Sequence, residues 1–141
     1  MQSKRLVIDA NILIRAVFGR RVRELIAQSS DDVAFFIAEA NFEEARHWLA
    51  ELAPRRGISE AVWKSSLATI MTAIQFFGQS ELELVAADAR ARIGHRDERD
   101  WPALAAALLL DCPIWTEDQD FLGTGVPTWT TATVEIYPLA P

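Results

Sequence analysis

Cysteine is almost missing from this chain: Cys112 is the only one in 141 residues. No intramolecular disulfide is possible, and a reducing, cytoplasmic setting is the expectation. A lone thiol just before Pro113 reads as a small core hydrophobe rather than a nucleophile. Long hydrophobic runs are missing too. Half of the residues are hydrophobic (50%), yet charges interrupt every apolar stretch well short of the roughly 18 residues a membrane-spanning helix requires. The opening Met1-Gln2-Ser3-Lys4-Arg5 leads straight into an apolar run that Asp9 breaks too early for a signal peptide. Lysine is scarce, with Lys4 and Lys64 set against an arginine-rich remainder. The net charge of −6 argues against a broad nonspecific nucleic-acid surface. It leaves room for an acidic pocket whose sign is inverted by bound divalent cations. No HxxxH, CxxC, GxGxxG or P-loop pattern occurs, so a zinc site and the common phosphate-binding loops drop out. His47 falls on the polar side of a helix beside Glu43 and Glu51, and His95 follows Gly94 in a loop. With no repeat, linker or low-complexity tract, residues 1–141 read as a single domain.

What the chain does have is a series of short apolar runs ending in Asp, Asn or Pro. Such runs read as buried strands of a parallel sheet. Residues 4–8 form the first, 33–37 the second and 114–116 another. The tail offers short strands near 127–130 and 134–137. Between them lie helical patterns. Residues 11–28 are helical with an interruption near Gly19, and Val22, Leu25 and Ile26 share a face. Residues 39–53 carry the stripe Ala45, Trp48, Leu49, Leu52 and stop at Pro54. Residues 58–77 read as one long helix capped by Ser59, buried through Trp63, Leu67, Ile70, Ile74 and Phe77, and ended by Gly78. Leu82, Val85, Ala86, Ala89 and Ile93 line the next helix, which Gly94 terminates. Trp101, Leu104, Ala105, Leu108 and Leu109 line another, with Asp100 near its N-cap and Pro102 in its first turn, where proline is tolerated. The five tryptophans mostly fall on core faces, which makes packing their default role. Strands alternating with helices define an α/β fold with a mainly parallel central sheet.

The carboxylates sit where strands hand over to helices or turns. Asp9 follows the buried Leu6-Val7-Ile8; it is either the cap of the next helix or part of a site, and Asn11 either orients it or caps in its place. Glu44 lies at the border of its helix's apolar stripe, where a side chain reaches inward, whereas Glu43 points to solvent. Asp100 occupies a helix start, where the dipole favours an anion. Asp97, one turn earlier, joins the site or pairs with Arg99. Asp118 follows a strand ending in Thr116, and Asp120 comes two residues later; each alone suits a turn. Taken together, acids at four such junctions are hard to explain as independent caps. Carboxyl ends of parallel strands are where α/β folds build sites, and converging carboxylates repel unless a cation holds them. An oxygen-only ligand set suits Mg²⁺ or Mn²⁺.

On these residues the chain resembles PIN-domain proteins, and among them the VapC-type toxin ribonucleases. Leu6-Val7-Ile8-Asp9-Ala10-Asn11-Ile12-Leu13 is similar to the family's opening strand and first acid. Ile37-Ala38-Glu39-Ala40-Asn41-Phe42-Glu43-Glu44-Ala45 resembles the segment bearing the second, at Glu44. Asp97-Glu98-Arg99-Asp100-Trp101-Pro102-Ala103-Leu104-Ala105-Ala106-Ala107 resembles the third block, at Asp100. Ile114-Trp115-Thr116-Glu117-Asp118-Gln119-Asp120-Phe121-Leu122 resembles the closing motif, at Asp118. The opening motif is weak alone, and the third and fourth blocks together are fairly specific. The resemblance implies a three-layer α/β/α fold and cleavage of RNA phosphodiester bonds with one or two Mg²⁺ or Mn²⁺ ions. Asp9, Glu44, Asp100 and Asp118 would hold the metal, supported by Asn11 and Thr116. It also implies a toxin of a type II toxin–antitoxin pair, with a homodimer and a small antitoxin as partners and no membrane.

Two rival readings differ in what they require. A haloacid-dehalogenase-like phosphohydrolase needs an Asp where Asn11 stands and a lysine later than Lys64. A PIN-like scaffold that only binds RNA or protein has no need of the complete acid set.

Overall fold

The computed structural model describes residues 4–94 and 98–139. Its centre is a five-stranded sheet in the order β3-β2-β1-β4-β5, every neighbouring pair parallel. The strands are β1 (Lys4–Ile8), β2 (Val33–Ala38), β3 (Ile74–Phe77), β4 (Ile114–Trp115) and β5 (Thr128–Trp129). The helices are α1 (Ala10–Phe18), α2 (Arg21–Ser29), α3 (Glu39–Leu52), α4 (Glu60–Met71), α5 (Gln79–Leu82), α6 (Ala86–Ile93) and α7 (Trp101–Leu110).

Alternation along each strand divides the core into two layers. Leu6 and Ile8 of β1, with Phe35 and Ile37 of β2, pack with apolar side chains of α1 to α4. Val7 and Ala38 point the other way, joining Ile114 of β4 and Leu82, Ala89, Ile93 and Leu104 from α5, α6 and α7. Burial on both faces is why these strands read as continuous apolar runs. On α7, Ala103, Ala105 and Ala106 are all fully buried, and such small side chains let the helix lie close over β1 and β2. The result is the three-layer α/β/α arrangement expected for the strand–helix alternation.

Several boundaries differ from those expectations, each for a physical reason. Residues 58–77 are not one helix. Ser59 caps α4 through its Oγ, which accepts the Val62 N–H at 3.3 Å, but α4 ends at Met71 and residues 74–77 form β3. Ile74 continues the buried stripe of Trp63, Leu67 and Ile70, so apolar spacing alone does not separate helix from strand there. Pairing with β2 in the register Phe35↔Ile74 to Ala38↔Phe77 does, and β-branched and aromatic residues favour it. The helix expected over residues 82–93 divides into α5, a 3₁₀ turn at Glu83–Val85 and α6. The tail forms one strand, β5; residues Val134–Leu139 make a 3₁₀ turn instead. Pro138 has no N–H for a ladder, and Val134 is anchored in the core beside α2. Trp48 is 40% exposed: it flanks the inner line of Ala45 and Leu49, with its ring against His47 at 5.5 Å.

Candidate metal centre

Strand register brings distant acids together at the carboxyl edge of the sheet. Ile8 pairs with Trp115, which sets Asp9 beside Thr116 although 107 positions separate them. The Thr116 hydroxyl donates to Asp9 Oδ2 while the same oxygen accepts the Asp118 N–H at 2.9 Å. Asp118 Oδ1 in turn accepts the Asp120 N–H at 2.8 Å, which closes the 3₁₀ turn Gln119–Phe121. Phe121 is fully buried and pins this turn to the core. One buried hydroxyl thus ties the end of β1 to the loop after β4.

Asp9 has two occupations. Its Oδ1 accepts the Ile12 N–H at 3.0 Å and caps α1, while Oδ2 faces Thr116. The side chain is almost wholly buried, and that loss of solvation raises its carboxyl pKa from 3.8 to about 6. The two hydrogen bonds pull the other way, and the negative charges of Asp118 and Glu44 add to the rise. Asp9 therefore feels both acids across space.

The tightest convergence is Asp100, Asp118 and Asp120, each partly buried and each offering a carboxylate oxygen within 4.8 Å of the others. Asp100 sits at the N-cap position of α7, yet its side chain makes no capping hydrogen bond. Glu44 projects from α3 with its side chain 27% exposed and meets Arg99 at 3.8 Å. The structure thus groups Asp120 with Asp100 and Asp118, and Asp9 interacts electrostatically with Asp118 on one side and Glu44 on the other. Asn11 is exposed and makes no hydrogen bond to Asp9 among the described residues. Asp97 and His95 lie outside the described residues.

A divalent cation fits this donor set. The donors are all oxygen, three of them lie close enough for one ion to touch, and Asp9 is held against ionisation by burial and like charge, a penalty a cation would remove. One more oxygen was not singled out from sequence. Asn41, one turn before Glu44 on α3, is 3% exposed, and its Oδ1 has no hydrogen-bond partner among the described residues. Its i, i+3 spacing from Glu44 was the available signal. Away from the site, Cys112 is buried and its thiol is pushed up to about 11 by desolvation, as befits a core residue.

A parallel α/β/α sandwich with acids gathered at the carboxyl edge of its central strands defines a class, and the comparisons identify it. The chain belongs to the PIN-domain family, whose model matches residues 7–138. Its fold is similar to that of PAE2754 from Pyrobaculum aerophilum, at 17% identity and a TM-score of 0.74, covering 99% of this chain and 100% of the other. VapBC2 from Rickettsia felis, solved bound to a DNA fragment from its promoter, is similar at 10% identity and a TM-score of 0.71, covering 89% and 98%. A toxin–antitoxin complex from Klebsiella pneumoniae is similar at 17% identity and a TM-score of 0.65, covering 89% and 97%. No curated protein matches the chain in sequence.

Proposed function

We propose that this protein is a metal-dependent endoribonuclease and the toxin of a type II toxin–antitoxin pair. The observation that carries the reading is the convergence of Asp100, Asp118 and Asp120 next to a buried Asp9 whose proton affinity both Asp118 and Glu44 raise. Membership of the PIN-domain family and the similarity to VapBC2 and a toxin–antitoxin complex support it. Asp9, Glu44, Asp100 and Asp118 would hold Mg²⁺ or Mn²⁺, with Asp120 alongside. Such an ion supplies Lewis acidity to the phosphoryl group and acidifies water.

The chain's own residues supply the rest. Thr116 fixes the Asp9 carboxylate and the Asp118 backbone with one hydroxyl, so the acids keep their spacing without rearrangement. Phe121 and the Asp118–Asp120 hydrogen bond hold the loop after β4. Arg99 offsets part of the negative charge at Glu44. A side chain acting as general base is not required by this chemistry.

Purified protein should cleave RNA with Mg²⁺ or Mn²⁺ and stop when EDTA is added. Asp118→Asn should lower the rate by a factor on the order of 10² or more, because cation binding and phosphoryl activation both suffer. Undiminished cleavage by the folded variant would sink the assignment. The reading includes a homodimer in the cytoplasm and a small antitoxin as partner, with exposed apolar side chains such as Val62, Phe76 and Leu84 available for contact. Light scattering that finds only monomer at micromolar concentration, or a pull-down recovering no small partner, would count against that part.

A further inference from the structure

An open cleft of about 390 Å³ adjoins the acid centre and shares a wall with it: Glu44, Gln79, Arg90, Arg99 and Trp101 all line it. Beside Glu44 it carries two arginines, which the centre lacks. The Arg90 guanidinium carbon lies 4.4 Å above the Trp101 ring, and Arg90 forms no ion pair among the described residues. Arg99, with its side chain 63% exposed, reaches Glu44 at 3.8 Å and borders the same space. Trp101 is itself buried and follows directly on Asp100, so α7 sets the indole and an acid of the centre side by side.

We infer that this cleft binds the RNA strand next to the bond being cut, with Arg90 and Arg99 holding flanking phosphates. The inference rests on the ribonuclease reading and deepens it by locating the substrate. A guanidinium stacked on an indole keeps its fork pre-oriented, so less freedom is lost when it grips a phosphate. An acidic centre repels a polyanion; fixed positive charge at its rim offsets that repulsion where a strand enters. A strand crossing the centre must pass either side of it, and Glu44 marks where the cleft begins. Arginine planes also serve nucleobases as stacking surfaces, which a carboxylate-rich peptide cannot use, and this favours RNA as the occupant.

The test is equilibrium binding of a short fluorescein-labelled oligoribonucleotide, with Ca²⁺ in place of Mg²⁺ and the probe checked for integrity, over a range of NaCl. Each neutralised phosphate on a single strand contributes about 0.7 to the slope of log K against log salt. Arg90→Ala and Arg99→Ala should each weaken binding about ten-fold and lower that slope by about 0.7. Arg23→Ala, an exposed arginine of α2 outside the cleft, should match the parent. A parent that binds, with Arg90→Ala and Arg99→Ala no weaker than Arg23→Ala, would overturn the cleft assignment and leave the ribonuclease reading standing. A parent that binds no RNA would bring down both. Variants that keep RNA affinity but lose affinity for a polyglutamate peptide would overturn the assignment in favour of an acidic protein partner.

Discussion

Asp9→Asn should stabilise the metal-free protein at neutral pH and destabilise it in acid. The ionised carboxylate is buried beside two other acids, and its pKa stands at about 6 against the 3.8 of an unburied aspartate. Below the lower value Asp9 is protonated in both folded and unfolded chains, and no penalty exists. Between the two, the unfolded chain releases its proton while the folded one keeps it, so stability falls as pH rises. Above the folded pKa the penalty is complete, about 3 kcal/mol at roughly 1.4 kcal/mol per pH unit. The amide of the variant carries no charge and escapes this. It can still accept the Ile12 N–H, but its NH₂ group faces the Thr116 hydroxyl that now donates to Asp9, and that mismatch costs about 1–2 kcal/mol. The net is a gain of about 1–2 kcal/mol near pH 7.5 and a loss of similar size near pH 4. Urea titrations of both proteins in EDTA at the two pH values measure it directly, and melting temperatures should move by a few degrees per kcal/mol. Mg²⁺ should reverse the neutral-pH order by stabilising the parent more. A stability difference that stays constant from about pH 4 to 7.5 would refute the reasoning, since it would mean that Asp9 titrates alike in folded and unfolded chains.

Thr116→Val removes the hydroxyl shared by Asp9 and the Asp118 N–H; RNA cleavage should fall about 10- to 100-fold and Thr116→Ser should restore most of it, as initial rates on one substrate would show. Leu104→Ala, fully buried on α7 beneath the sheet, should cost about 2–5 kcal/mol, whereas Leu84→Ala, 80% exposed, should change stability by less than about 0.5 kcal/mol; equal denaturation midpoints would contradict the packing described here.

The strand–helix alternation and the two-faced burial of β1 and β2 were legible because parallel strands covered on both sides must be apolar throughout. Asp9 and Asp118 stood out because each follows a buried strand, Asp100 because it opens an apolar helix, and Glu44 because it borders the apolar stripe of α3. Residues 74–77 were not legible. A helical stripe and a buried strand residue coincide at Ile74, and only the edge of β2 waiting to be paired separates them. Residues 134–137 form a turn rather than a strand because an apolar run can anchor either, and Pro138 lacks the N–H a strand would use.

The sequence by itself determined the fold class and the capping at Ser59, since these follow from side-chain type and spacing within a few residues, whereas the choice between Asp9 and Asn11 as the cap of α1 was made by the structure, in which Asp9 accepts the Ile12 N–H. Tertiary structure alone decided which acids meet most closely. Asp120 joins Asp100 and Asp118 because a buried Phe121 and a hydrogen bond turn the chain there. Asp9 meets Thr116 because the β1–β4 register puts Ile8 opposite Trp115. Arg90 comes to line the cleft beside Glu44 with its guanidinium over the indole of Trp101, a contact between α6 and α7. Each of these contacts joins side chains whose proximity depends on how sheet and helices pack, and no spacing along the chain encodes that distance.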